Sequence, residues 1–131
     1  MATSKAILAA ALGRNNDRIG SARIKKVWVD DIRGMPDGYN IAIHSVNQAI
    51  EWFERELALG KSEMVLVDLD HDAGDYQSDG GDYIRILDWL EANFPPVPYN
   101  KIRLVFKIHS ANPVGRANMV RIIQRNRWKL A

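Results

Sequence analysis

Three short stretches of the chain gather side chains that can do chemistry. "VWVDDIR" carries Asp30 and Asp31, "VDLDHDAGD" places four carboxylates and His71 within nine residues, and "HSANPVGR" carries His109, Ser110 and Arg116. Carboxylates crowded together repel and some protonate, so such a group either binds a cation or tunes a catalytic acid. Asp30, Asp31 and Asp70 suit a hard divalent ion, Mg²⁺ first, which takes one or two carboxylates and keeps positions for water and phosphate oxygens. His71 and His109 are candidates to divide general-acid and general-base work around a phosphate near neutral pH. Ser110, the first amides of a following helix and Arg116 are a candidate phosphate cradle. Taken alone, "HSANPVGR" reads better as an Asn-Pro helix cap with a solvated arginine; opposite the aspartates it becomes complementary machinery for a phosphorylated ligand. Asp75, Asp79 and Asp82 are read as turn or cap residues, Asp72 stays open between that role and the site, and His44 is read as structural.

These stretches need a scaffold that brings them together. "KKVWVD" has the β-branched and aromatic residues of a strand, broken by "DDIRGMPDGYN". "IAIH" is a second, short strand, after which Ser45 with Gln48 three residues on predicts a capped helix ending at Gly60. "MVLV" inside "EMVLVDLD" is apolar without alternation, as expected of a central parallel strand covered on both faces. "DGGDYIRILDWLEANF" reads as a helix stopped by "PPVPYN", and "IRLVFKIHS" as a fourth strand. Asn112 and Pro113 suit the cap and first turn of a last helix. Strands alternating with helices predict a three-layer α/β/α arrangement around a parallel four-stranded sheet. In such sheets the functional crevice lies beyond the carboxyl ends of the strands, where all three motifs fall.

Length and composition set bounds. The 131 residues, 47% apolar and 26% charged, fit one soluble domain with a real core. There is no cysteine, which removes disulfides and thiolate metal sites. No apolar stretch reaches the roughly 20 residues that span a bilayer, so no membrane association and a cytoplasmic location are expected. Residues 1–21 read as an accessory segment, with a helix from Ser4 to Leu12 stopped by Gly13 and a polar loop after it. Residues 22–131 form the domain proper. The net charge of +2 hides basic ends around an acidic middle, and the basic termini are a possible nucleic-acid contact.

Together, "VWVDDIR", "VDLDHDAGD" and "FKIHSANPVGR" resemble the cyclic-phosphate processing receiver-like domain family, over roughly Lys26 to Ile123. The resemblance implies a trimmed receiver (flavodoxin-like) fold and a predicted role with cyclic phosphates of nucleotides or RNA ends. Carried over residue by residue, it assigns Asp30 and Asp31 as the acidic pair. It adds Asp72 to Asp70 and His71 as catalytic candidates beside His109, and Asn112 to Ser110 and Arg116 as phosphate-binding candidates. In receivers the strand-end aspartate accepts a phosphoryl group; Asp70 is its counterpart, and Asp68 the other possible register. A receiver's fifth strand carries a lysine that contacts phosphate. No fifth strand is evident here, and Lys107 precedes Ser110, a departure that weakens the phosphorelay reading, while the extra histidines favour hydrolytic chemistry.

Three functions follow from these residues. The first is a metal-dependent phosphoesterase acting on a phosphorylated small molecule, nucleotide or RNA end. The second is a non-catalytic receiver-like switch that binds or accepts a phosphoryl group. The third is a nucleic-acid interaction module using the basic ends.

Overall fold

The three central strands stop where the chain turns polar, at Asp30, Asp70 and His109. The computed structural model describes residues 18–19, 22–95 and 101–131. In chain order these form β1 (Arg18–Ile19), β2 (Ala22–Val29), β3 (Ile41–Ile43), α1 (Val46–Leu59), β4 (Met64–Leu69), a 3-10 turn (Gly74–Ser78), α2 (Ile84–Asn93), β5 (Arg103–Ile108), α3 (Pro113–Arg125) and β6 (Lys129–Leu130). Strands β3, β2, β4, β5 and β6 are parallel neighbours in that order, and β1 pairs antiparallel with the start of β2. Numbering the parallel strands alone gives 2-1-3-4-5, the flavodoxin-like order.

The continuous apolar run of β4 takes the central place: all six residues from Met64 to Leu69 are buried. Its side chains alternate between two cores. Val65, Val67 and Leu69 join the helix-side core with Val27, Val29, Leu104, Phe106 and Ile108. Met64 and Leu66 face the other way, with Ile24 and Val105, and Tyr39 of the β2–β3 loop packs on them. Helix α1 turns Ala49 and Phe53 into the first core, and burying a side chain such as Phe53 contributes about 1.5–3 kcal/mol. At its start Ser45 accepts a hydrogen bond from the Gln48 amide, and the Gln48 side chain accepts one from the His44 amide. The first bond is the one that the Ser45–Gln48 spacing predicts, while the Gln48 side chain reaches back one residue beyond the cap. Helix α3 is capped by the Asn112 side chain with Pro113 in its first turn, again as expected.

Three expectations are corrected. The sheet has five parallel strands, not four, because β6 pairs with β5 through Val105–Lys129 and Phe106–Leu130. The chain reaches β6 without a loop. Arg127 takes a left-handed φ of 58°, and the Arg127 and Trp128 amides close back on the Gln124 and Ile123 carbonyls. That is the Schellman ending of a helix, with arginine in the place glycine prefers. Secondly, among the described residues all three helices pack on one face of the sheet, so a third layer is not formed by them. The β2–β3 connection, where a receiver-like fold would place a helix, is the polar, Gly- and Pro-containing loop of residues 30–40. Thirdly, Arg18 and Ile19 are in β1, not in a loop. The expected helix at Ser4–Leu12 lies outside the described residues.

Candidate functional site

The parallel ladder continues one residue past the strands. The Asp30 amide donates to the Ile43 carbonyl (3.2 Å), the Asp70 amide to Val29 (2.9 Å) and the His109 amide to Leu69 (2.9 Å). Backbone pairing thus sets Asp30, Asp70 and His109 in a row along the carboxyl edge, which brings the three sequence motifs together.

Asp30 is 1% exposed and its carboxylate is saturated. One oxygen accepts the Ile32 and Arg33 amides, both at 2.8 Å, and the other faces His109 Nε2 at 2.9 Å. Burial alone would raise its pKa, but the Arg33 and Ile32 amides and His109 together hold it below the usual carboxylate range.

His109 is fixed on both sides. Nδ1 lies 2.7 Å from Asp68 Oδ1 while Nε2 faces Asp30, and the ring stacks on the Trp28 indole with centroids 4.0 Å apart. Burial opposes the charged form, yet the Asp68 and Asp30 carboxylates outweigh it and raise the His109 pKa. A carboxylate faces each ring nitrogen, an arrangement that favours the doubly protonated imidazolium. Asp68 also accepts the Tyr39 hydroxyl. Burial and then Asp68 push that phenol well above its usual range. Lys26, 1% exposed, lies 4.2 Å above the Tyr39 ring, its ammonium pulled down by burial and by Lys107 against the opposing pull of Asp68.

In front of this buried row lies a cleft of about 540 Å³ lined by Asp31, Arg33, Asp70, Asp72, Asn112 and Pro113, among others. Burial, opposed by its own amide and reinforced by the Asp30 and Asp70 charges, raises the Asp31 pKa. Gly74, at φ +54°, lets the acidic loop approach so near that any β-carbon there would overlap the Asp31 carboxylate. Asp70 accepts the His71 amide at 2.8 Å. His71 Nδ1 is 2.8 Å from Asp72, and its ring rests on Gly115 of α3, where a β-carbon would collide with it.

The expected site residues therefore divide. Asp31, Asp70, Asp72 and Asn112 line the cleft; buried Asp30 and half-buried His109 are not part of its lining, nor are His71, Ser110 and Arg116. His71 and His109 share no hydrogen-bond partner. Ser110 Oγ accepts the Asn112 amide at 3.0 Å, Asn112 Oδ1 caps the Gly115 amide at 2.9 Å, and Arg116 Nη1 donates to the Ile108 carbonyl at 2.6 Å. Asp82 accepts the Ala73 amide and the Gln77 side chain, and Asp79 accepts from Asn47, so both tie loops together and neither side chain caps a helix. His44 keeps to the frame, facing the Asp30 carbonyl and accepting the Tyr83 hydroxyl on its own carbonyl. Sequence reasoning missed the cleft role of Arg33, which was visible as the last residue of "VWVDDIR". It also missed the Tyr39–Asp68 pair behind His109.

Among the described residues two groupings could hold a metal ion by proximity: Asp30 with Asp70 and His109, and His71 with Asp72 and Asp82. The chemistry of the donors favours neither as a complete set. His109 has a carboxylate facing each of its ring nitrogens, and Asp30 and Asp82 already accept from other donors. Asp31 and Asp70 are the partly exposed, mutually repelling carboxylates of the cleft, and they fit a hard divalent ion that keeps several waters.

A five-stranded parallel sheet with aspartates at the ends of its first and central strands defines a receiver-like α/β domain. Residues 25–125 match the cyclic-phosphate processing receiver domain, and the chain belongs to that family. Neither a curated protein nor a solved structure matches the chain. Among the described residues no helix is long and apolar enough to cross a membrane.

Proposed function

We propose that residues 22–131 act as a metal-dependent phosphoesterase on cyclic phosphates of nucleotides or RNA ends, with residues 1–21 as an accessory segment. The observation that carries this reading is the Asp31–Asp70 pair, held at the cleft with its charges crowded, opposite the Asn112 cap of α3. Asp31 and Asp70 would hold Mg²⁺ or a similar ion, which when bound supplies a polarised phosphoryl oxygen and a more acidic water. Arg33 and the Asn112 amide group orient phosphate oxygens at the rim, and Ser110 keeps its hydroxyl proton to donate to one. Arg116 joins them on leaving the Ile108 carbonyl.

In ring opening, a water oxygen forms a bond to phosphorus, one ring P–O bond breaks, and the water proton ends on the departing hydroxyl. His71 is the group that moves this proton: Asp72 orients it through Nδ1, leaving Nε2 for transfer. His109, held between the Asp68 and Asp30 carboxylates, supplies positive charge behind the cleft instead of moving protons. Incubation with 2′,3′-cyclic and 3′,5′-cyclic nucleotides plus Mg²⁺ tests the reading. Turnover that disappears in Asp70→Asn supports it, and absent turnover with metal binding intact refutes it.

A second reading, a phosphoryl-accepting switch, is favoured by the 2-1-3-4-5 order with Asp70 just past the central strand. Lys129 of the fifth parallel strand does not supply a phosphate-contacting lysine, since it lines a cleft at the opposite end of the sheet. A stable phosphoryl mass gain after treatment with a small phosphodonor, lost in Asp70→Asn, would select the switch.

A further inference from the structure

At the amino end of the parallel strands lies a cleft of about 670 Å³ that the proposed chemistry does not use. Phe94, Ile102 and Leu104 give it an apolar lining, and Trp128, Arg127 and Lys129 stand along it. Glu91, its carboxylate, is already engaged by Arg125 (2.8 and 2.9 Å) and Asn126 (2.6 Å). Arg127 and Lys129 are exposed and have no acidic partner among the described residues, so the cleft keeps uncompensated positive charge. Trp128 is half-buried, packed on Phe106 at 5.3 Å between ring centroids.

The backbone adds an independent observation. Arg127 is the one non-glycine residue with positive φ among the described residues, at the helix-ending position where glycine is free of strain. A side chain is kept there against a local preference, beside an aromatic ring and a second cation. Cations alternating with an aromatic face along an open cleft are what a single strand of nucleic acid requires: charge for phosphates, a flat surface for bases.

We propose that this cleft binds single-stranded RNA or DNA, with Arg127 and Lys129 on phosphates and Trp128 against a base. The six residues of β5 separate it from the acidic cleft by about 17 Å, so occupancy of one leaves the other open. The inference does not depend on the phosphoesterase reading. Nucleotide turnover without nucleic-acid binding would overturn this inference alone.

The test is fluorescence anisotropy of the full chain with a labelled oligouridylate of about 12 nucleotides, and its DNA counterpart, across a salt series. Binding should weaken with salt, with a log–log slope of about −1.4 for two phosphate contacts on a single strand. Arg127→Gly is the decisive variant, since it removes the cation while relieving the backbone. It should keep or raise the melting temperature and weaken binding at least tenfold, and Lys129→Gln should weaken binding without unfolding. Binding that ignores salt, or is unchanged in both variants, overturns the proposal. Equal competition by polyglutamate would also overturn it, marking a surface for acidic protein instead.

Discussion

The His109 imidazole lies flat on the Trp28 indole, the two planes within 4° of each other, while its two nitrogens point at Asp68 and Asp30. An aromatic face attracts a cation, so the stack adds to the two carboxylates in favouring the protonated ring. Two carboxylates from neighbouring strands are thereby joined through one positive group that water scarcely reaches.

This geometry sets a pH dependence. The folded pKa of His109 is raised, so its stabilisation is fully present below the ordinary imidazole value of about 6.5 and is lost as pH rises through the folded value. Thermal melts of the wild type without added metal should therefore show a falling melting temperature on the alkaline side of that window. His109→Gln should be less stable at acidic pH and nearly flat across it. A wild-type curve as flat as the variant's would contradict the imidazolium assignment.

Asp68 is 2% exposed and answers both His109 and Tyr39. Asp68→Ala leaves a buried positive ring short of one partner, which should cost about 3 kcal/mol in urea unfolding. Tyr39→Phe removes only the hydroxyl and should cost about 1 kcal/mol. Similar losses in the two variants would mean that the charge of Asp68 matters little.

At the cleft stability also falls as pH rises, this time through an acid. Asp31 is raised by burial and by the Asp30 and Asp70 charges, so in metal-free protein its ionisation lowers stability as pH rises through its folded value. Asp70→Asn should raise the metal-free melting temperature at neutral pH and abolish the upward shift that Mg²⁺ produces in the wild type. If the variant is destabilised and still shifts with Mg²⁺, Asp70 is not part of the cation site.

Gly115→Ala separates helix propensity from site geometry. In an open helix the change gains about 1 kcal/mol. Here the new methyl meets the His71 ring, so overpacking should cost about 1 to 3 kcal/mol instead and turn His71 away from Asp72. Differential scanning calorimetry beside cyclic-nucleotide turnover distinguishes the cases: activity should fall by more than the stability loss explains.

Much of the scaffold was legible because periodicity and caps are local. "MVLV" marked the central strand, Ser45 with Gln48 marked the start of α1, and Asn112-Pro113 marked α3. Strand β6 was not legible, for two residues carry no period and its entry is an arginine where glycine would have signalled the turn. The partners of His109 were hidden for another reason. Pairing of Asp68 with His109 depends on the register of β4 against β5, which no sequence window contains. "HSANP" therefore looked like a free catalytic imidazole, and only the packed sheet shows a carboxylate facing each of its nitrogens. The cleft itself was half legible: its acids came from the motifs, but Arg33 looked like an ordinary loop cation.

Enclosure of β4 on both sides does more than stabilise the sheet. Its residues send alternate side chains into opposite compartments, and a slip of one position would drive Asp68 into the hydrocarbon against the helices and expel Leu69 from it. Oily contacts thus serve as the ruler by which the charged groups are spaced. A one-residue insertion or deletion within Met64–Leu69 would misplace the whole acidic row, whereas exchanges of one aliphatic shape for another leave its calibration intact.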